Sequence, residues 1–563
     1  MISNGKIVKL LNLSSSLLEL HDENPFKIQA LQKAISVLDK TSIKLATLST
    51  SELVSKIGVS KGMAEKVVEI VLNGTTNELI ELLSKTPEGL TQLFDIKGLG
   101  AKKVKLLWKE ANIVTLEQLQ LACETNQLAS IKGFGEKTQS SVLENIYFLK
   151  EQEGKLHFSD AEVIAFDLQH QFATLFQTEV IISGQIARKN ETISKITFLT
   201  DFAAHLVQEK LENIDQLIHN QTTSSPFRWV GTEKANGIEI EIITINKDKL
   251  VNTDFVLKAD GEFLNYNLPN QKSLYQFVIG NKFKNEEEIF EKLNWQYVPA
   301  EYRESYKAAQ QGAQKQVPNL VKLEDLKGNL HNHSTYSDGE NTLEEMANAC
   351  KNFGFEYFGI ADHSKAAYWA GGLDEERVAA QQKEIEALNQ KFDGFKVFKG
   401  IEADILNDGS LDYDPETLKT FDYVVASVHQ NLDMDADKAN ARLIKAIENP
   451  FTTILGHLTG RLLLKRKGYP VNHSYIIDAC AANKVVIELN ASPWRLDMDW
   501  RFIDEAMNKG VLISINPDAH NTADLMDVVY GTHVARKGGL TKEFTLNALS
   551  LTEIEKYFAE KKG

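Results

Sequence analysis

Histidines and carboxylates recur at the ends of short apolar runs in the C-terminal part of this 563-residue chain: His331-Asn332-His333, Asp362-His363, Gly400-Ile401-Glu402, Val428-His429, Gly456-His457 and Asp518-Ala519-His520. Helix-length segments such as NTLEEMANACKNF, DEERVAAQQKEIEALNQKF, DKANARLIKAIEN and WRFIDEAMNKG lie between them. Repeated β–α units of this size predict a parallel barrel, in which the carboxyl ends of the strands share one mouth and distant residues meet in one site. Alternation along a strand sends His331 and His333 to the same side. A single histidine at a strand end is more often a hydrogen-bonded structural residue than a ligand, but six at matching ends (331, 333, 363, 429, 457 and 520) point to a metal cluster. His473 and His533 do not sit at such ends. Imidazole and carboxylate donors without cysteine suit Zn²⁺, Mn²⁺ or Fe²⁺ in a working site rather than a structural zinc.

Length predicts about three or four domains, each with a substantial core. No apolar stretch approaches a membrane span, and MISNGKIVKLLNLSSSLLELHDEN reads as an amphipathic helix rather than a leader. Cys123, Cys350 and Cys480 are far apart with no paired spacing, which predicts a reducing cytoplasm. The net charge of −16 argues against a nucleic-acid partner until its distribution is read. Residues 1–150 carry about 18 basic and about 16 acidic side chains, roughly +2, so the acidity belongs to the rest of the chain. A near-neutral first third can approach phosphates, while an acidic remainder suits divalent cations.

Residues 1–150 read as helical throughout, with apolar positions at helical spacing. A pattern repeats within them: IKGLGAKKVKLLW at 96–108, IKGFGEKTQSSVL at 131–143, and a weaker IGVSKGMAEKVVEIV at 57–71. Each places a glycine-containing turn directly before a helix, where free N–H groups and the helix dipole favour an anion. Gly98, Gly100 and Lys102 with Lys103 in one copy, and Gly133, Gly135 and Lys137 in the next, are the candidate contacts. These repeats resemble helix-hairpin-helix motifs, which implies binding to DNA backbone without reading sequence.

Residues 155–304 alternate helices with strand-like EVIISGQIA, SKITFLT and GIEIEIITIN. The order of hairpin repeats, such a middle region and a histidine-rich C-terminal region resembles the bacterial family X DNA polymerases, which implies an α+β nucleotidyltransferase palm. On that resemblance Gly184 and Arg188 match the family's Gly-Ser and Arg-Arg, and Gln185 replaces the serine. The two aspartates that hold catalytic metals fall on Lys195 and Thr197, and a third falls on Glu241. Two-metal phosphoryl transfer needs carboxylates there, and an ammonium repels the cation. The nucleotide-gripping Thr-Gly-Ser and His-Asn are also missing from VLKADGEFLNYNL. The expectation is a palm remnant acting as scaffold or DNA cradle, followed by a polar linker at 305–327.

Residues 328–563, with LHNHSTYSDG, GIADHS, KGIEADILNDGSLDY, VVASVH, GHLTGR, IELNASPWRLDM and INPDAH, resemble the PHP (polymerase and histidinol phosphatase) domain. That resemblance implies a distorted (β/α)7 barrel with three metal ions, Mn²⁺ or Zn²⁺ with Fe²⁺ as a third option. It also implies the ligands: His331, His333, Glu402 and Asp518 for one ion, Glu402 with His429 and His457 for a second, and Asp338, His363 and His520 for the third. Glu402 is the bridging, catalytic carboxylate, and Arg461 and Arg495 are candidates for substrate phosphate. The expected fold is therefore multidomain α/β: helix-hairpin-helix region 1–150, palm remnant 155–304, linker 305–327 and PHP barrel 328–563. The expected activity is metal-dependent hydrolysis of DNA phosphodiesters, 3′ to 5′ and exonucleolytic, at ends or gaps, with abasic sites and 3′-phosphates as further substrates within the family. An active family X polymerase, a histidinol-phosphate-type small-molecule phosphatase and a non-catalytic DNA-binding scaffold remain as alternatives.

Overall fold

The computed structural model describes residues 4–39, 41, 43–96, 98–212 and 214–562. It divides into two compact units, Met1–Glu153 and Gly154–Gly563.

The first unit is helical among its described residues. Its core is a set of leucines, isoleucines and valines at helical spacing, including Leu11, Leu18, Val67, Val104, Leu107 and Ile146. Helices α1 (Lys61–Asn73), α2 (Ala101–Ala111) and α3 (Glu136–Gln152) follow the three glycine turns. The residue between each pair of turn positions, Val59, Leu99 or Phe134, plugs into this core.

The second unit contains the middle region and the barrel. In the middle region, β1 (Val180–Ser183), β2 (Lys195–Thr200), β3 (Leu217–His219), β4 (Arg228–Glu233) and β5 (Glu239–Thr244) form one sheet in the order β1-β2-β5-β4-β3. Only β2 and β5 pair in parallel, with Thr197 opposite Glu241. Sequence reading found β1, β2 and β5 but not β3 and β4. Ile196, Phe198, Ile240 and Ile242 pack with Phe172 of the helix Phe158–Phe176.

The barrel consists of parallel strands β6 (Gly328–Asn329), β7 (Tyr357–Gly359), β8 (Lys396–Phe398), β9 (Gly400–Asp404), β10 (Tyr423–Ser427), β11 (Ile454–Leu455), β12 (Val486–Asn490) and β13 (Ile513–Asn516). Lys399 alone separates β8 from β9, so the two are one bent strand and the circuit has seven. β6, β7 and β8 pair on one side and β9 to β13 on the other. Parallel bridges His363–Glu402 and Asn332–Ala519 join the two arcs, as a barrel requires.

The segment 305–327, expected to be a polar connector, is ordered and packed. It carries the helix Tyr306–Gln314, in which Ala308, Ala309 and Gly312 are buried, and Val321 N–H donates to Leu540 O at 2.8 Å. Average polarity hid a face of small residues: a Cβ on Gly312 would lie 2.8 Å from Val298 Cγ2.

Buried charges join the middle region to the barrel. Glu304 accepts from Arg188 Nη2 and from Lys537 Nζ, each at 2.5 Å, and Lys537 also donates to Arg188 O at 2.9 Å. Glu304→Ala would leave the enclosed Lys537 ammonium uncompensated, at a cost of about 3–5 kcal/mol. Chemical denaturation of the full chain should show that loss in the transition shared by palm and barrel, whereas a change under 1 kcal/mol would mean the network is not stabilising.

Candidate metal centre

Of the nine side chains that the PHP resemblance assigns as ligands, Glu402 lies within β9, Asp338 lies in the loop after β6, and the other seven follow the carboxyl ends of barrel strands. His429, His457 and Asp518 each follow the last residue of β10, β11 and β13 by two positions, and His363 lies four beyond β7. Asp518 adopts φ 55°, a left-handed conformation that aspartate tolerates better than most residues and that turns its carboxylate into the mouth. Glu402 is at the centre and only 1% exposed: His429 Nε2 is 3.1 Å and His457 Nε2 3.0 Å from its Oε1, and His363 Nδ1 is 2.8 Å from its Oε2. His331 Nε2 stands 3.3 Å from Glu402 and 3.6 Å from Asp518. His333 Nε2 is 3.0 Å from Asp518. Asp338 Oδ1 lies 3.6 Å from His363 and 3.5 Å from His520.

Three sets have donor atoms close enough to share one ion: His333, Asp338, His363 and His520; His331, His333 and Asp518; and His363, Glu402 and His429. His333 and His363 each serve two sets, so the grouping is less partitioned than the sequence expectation. His457 joins through Glu402. The donor set fits divalent cations on a further ground. His331 Nε2, His333 Nδ1, His363 Nδ1 and Glu402 Oε2 are buried and, despite the short contacts among them, none has a partner in hydrogen-bonding alignment among the described residues, an arrangement that proteins otherwise avoid.

The mutual fields are strong. Burial by itself would raise Glu402, but His429, His331 and His363 hold its carboxyl well below the usual range. Burial is likewise outweighed at Asp518 by His331 and His333. Burial lowers His333 to about 3, and the neighbouring His520 and His363 act in the same direction. At His429 burial also lowers, but Glu402 and Asp404 prevail and raise it to about 10.

Sequence reading missed an outer set of polar residues. Glu488, fully buried on β12, accepts from His331 Nδ1 at 2.7 Å, His457 N–H at 2.8 Å and Asn516 Nδ2 at 3.1 Å. Asp404 accepts from His429 Nδ1 at 3.0 Å. Holding one ring nitrogen leaves the other as a ligand. The alternation Glu402-x-Asp404 and Glu488-x-Asn490 could have identified both, since each pair shares a strand face.

The two candidate arginines separate. Arg495 Nε stands 3.5 Å from Asp518 Oδ2, at the edge of the cluster. Arg461 does not serve the cluster as expected. Its Nε donates to Arg495 O at 2.9 Å, and its Nη2 donates to Leu496 O and to Glu191 of the middle region. The expectation failed because Glu191, 270 positions away, takes the guanidinium.

Family models match the PHP domain at residues 329–492, the helix-hairpin-helix domain at 2–76 and a SAM-like helix-hairpin-helix tandem at 90–145. The chain is 32% identical, over 98% of its length and 98% of the relative's, to the DNA polymerase/3'-5' exonuclease PolX of Bacillus subtilis (strain 168). The chain belongs to the bacterial PolX family. A probable phosphatase of Thermoanaerobacter sp. (strain X514) is 26% identical over 41% of the chain and 94% of its own length. The ternary complex of Leishmania infantum polymerase beta aligns with 38% of the chain and 97% of its own, at 13% identity and a TM-score of 0.23, too loose a superposition to bear on the fold.

In this PolX chain the three palm positions converge on neighbouring strands without forming a carboxylate cluster. Glu241, 4% exposed, accepts from Thr197 Oγ1 at 2.9 Å, pairs with Lys195 Nζ at 3.0 Å, and takes a hydrogen bond from Arg228 Nε. Burial raises Glu241, but Arg228, Lys195 and Thr197 together hold it below its usual range. Arg188 is taken up by Glu304 and Asp260.

In the hairpin unit, Gly98 and Gly133 adopt φ 86° and 96°. Gly100 and Gly135 are the N-caps of α2 and α3, and neither supplies a side-chain cap. A Cβ at Gly98, Gly100 or Gly135 would meet nothing within 4 Å, so these helix ends are open to a close-approaching anion. Lys102 and Lys137 are exposed beside them. The weaker copy differs: Ser60 caps α1 by accepting from Met63 N–H at 3.3 Å.

Replacing Glu488 with glutamine keeps its shape and removes the charge that orients His331. Metal retained after dialysis against graded chelator, measured by mass spectrometry of the protein, should require about 10–100-fold less chelator to remove. Retention equal to wild type would assign Glu488 to packing alone.

Proposed function

We propose that this chain is a metal-dependent phosphodiesterase acting on DNA, a 3′–5′ exonuclease in DNA repair, and that its palm does not polymerise. The observation that carries this reading is the contrast between two sites. The barrel brings nine competent donors to one mouth, whereas the palm positions hold an ion pair between Lys195, Glu241 and Arg228. His331, His333, Asp338, His363, Glu402, His429, His457, Asp518 and His520 would hold three ions, Mn²⁺ or Zn²⁺. Bound there, such ions supply Lewis acidity and a nucleophile at neutral pH.

The chain's own residues do the positioning. Glu488 and Asp404 fix the rings of His331 and His429, and Asn490 Nδ2, 3.0 Å from Asp518 Oδ2, fixes that carboxylate. Arg495 offers a guanidinium to phosphate oxygens beside the cluster. The hairpin turns contribute backbone N–H groups and lysines to duplex phosphates, which gives affinity without sequence preference. Tandem hairpins serve no purpose for a small phosphomonoester, so a phosphodiester of DNA is the better substrate than a metabolite. In the palm, a carboxylate already neutralised by two cations is a poor magnesium ligand.

With a 5′-labelled strand and Mn²⁺, the wild type should shorten DNA stepwise, and Glu402→Ala should lose at least 100-fold of that rate. No degradation of single strands, duplexes or gapped DNA with any divalent metal would sink the nuclease reading. Templated incorporation of nucleotides that Glu241→Ala abolishes would restore the polymerase. Charge reversal at both Lys102 and Lys137 should weaken duplex binding about tenfold at low salt and flatten its dependence on salt by about two phosphate contacts. Unchanged affinity and slope in a filter-binding titration would remove these turns from the interface.

A further inference from the structure

One contact between the palm and the barrel falls on the loop that carries Arg495. That loop leaves β12 and turns back on its last residue: Asn490 N–H donates to Asp497 O at 2.5 Å, and the two residues form an antiparallel bridge. Asp497, fully buried, accepts from Thr459 N–H at 2.9 Å and from the Thr459 hydroxyl at 3.0 Å. The turn closes through Leu496, which is 2% exposed and adopts φ 44°. A residue with a bulky side chain takes the left-handed region only where its surroundings hold it there.

Much of that hold comes from Arg461. Its Nε donates to Arg495 O at 2.9 Å and its Nη2 donates to Leu496 O, so one guanidinium pins two successive carbonyls. The guanidinium is itself pinned from the palm, because the same Nη2 pairs with Glu191 Oε1. Glu191 is firmly placed. Phe158 N–H donates to Glu191 O at 3.2 Å, the next residue, Thr192, pairs with His157 in a short antiparallel ladder, and Lys537 Nζ of the barrel donates to Asn190 Oδ1 at 3.2 Å.

The turn bears directly on Asp518. Arg495 Nε lies 3.5 Å from Asp518 Oδ2, and Asn490 Nδ2, at the start of the turn, donates to the same oxygen at 3.0 Å. Displacing residues 495–496 therefore withdraws a guanidinium from the mouth and frees one side of a carboxylate in the donor set. The path has three contacts: Glu191 to Arg461, Arg461 to the Arg495 and Leu496 carbonyls, and Arg495 to Asp518.

We propose that Glu191 of the palm is a positioning residue for the barrel's metal mouth, acting through Arg461 on the turn that carries Arg495. The inference rests on the phosphodiesterase reading of the barrel and gives the palm a part in it that needs no nucleotide. A planar guanidinium with five donors spans a carboxylate and two carbonyls at once, which an ammonium cannot do. Without the Glu191 charge the guanidinium loses the partner that fixes its plane, and a misplacement of about 1 Å at a reaction site can cost about 100-fold in rate. A brace that only stiffened the joint would not act through Arg495.

The test is a double-mutant cycle on the full chain, with Glu191→Gln and Arg495→Ala made singly and together. One readout is kcat for bis(p-nitrophenyl) phosphate with Mn²⁺. The other, without turnover, is the chelator concentration that strips Mn²⁺ from the protein. Glu191→Gln should lower kcat about tenfold and release metal at about tenfold less chelator, while the double variant should be no worse than Arg495→Ala alone. Non-additivity in either readout bears out the relay. If neither readout is non-additive, because the losses multiply or because Glu191→Gln matches wild type, the relay is overturned. Should Glu191→Gln fail to fold, Arg461→Lys, which keeps the charge but cannot span all three acceptors, replaces it in the cycle. If the wild type hydrolyses no diester with any divalent metal, the phosphodiesterase reading falls and metal retention still decides the relay. If the wild type is active and the cycle is additive, only the relay falls.

Discussion

Glu402 is a carboxylate almost entirely removed from water and ringed by imidazoles from four other strand ends. In that position a carboxylate must be compensated by protons on the rings or by cations between them. The pulls within the mouth run in opposite directions: Glu402 and Asp404 raise His429 against its burial, whereas burial and the neighbouring His520 and His363 lower His333. Metal ions held there would resolve this conflict, which is why the buried nitrogens and the Glu402 oxygen without aligned partners are informative. The barrel around them is the means of placing these groups together: parallel strands end on one face, and Glu488, Asp404 and Asn490 set ring and carboxylate orientation from just below it.

The palm presents the opposite solution to a similar problem. Glu241 is buried too, but Lys195, Arg228 and Thr197 satisfy it within the protein. Arg188, which matches an arginine of the polymerase family, is drawn into the Glu304–Lys537 joint with the barrel. Groups matching polymerase positions make contacts within the protein here, and the middle region braces the barrel through Arg461–Glu191 and Lys537–Glu304. This division of labour explains how one chain keeps the architecture of its family with a single well-formed donor cluster among its described residues.

Much of this was legible in the sequence, for reasons that differ by element. The barrel and its mouth could be read because strand period and strand-end position together specify where a side chain points. The hairpin turns could be read because positive φ before a helix requires glycine at Gly98 and Gly133. Lys195, Thr197 and Glu241 lie on neighbouring strands, since β2 and β5 pair with Thr197 opposite Glu241. What escaped was long-range or small. Arg461 reads as a candidate for substrate phosphate because its partner Glu191 is 270 positions away, and the segment 305–327 reads as a tether because alanine and glycine conceal a packing face. Strand β4, which supplies Arg228 to Glu241, carries too little alternation to be seen. Glu488 was overlooked because it lies below the mouth rather than in it.

On the proposed reading the barrel, and not the palm, holds this chain's metals. Anomalous scattering from crystals soaked in Mn²⁺ tests it most directly. Strong peaks are expected among His331, Glu402, Asp518 and their neighbours, and none beside Glu241. A manganese peak held by Glu241, or a barrel mouth that stays empty at saturating metal, would contradict it.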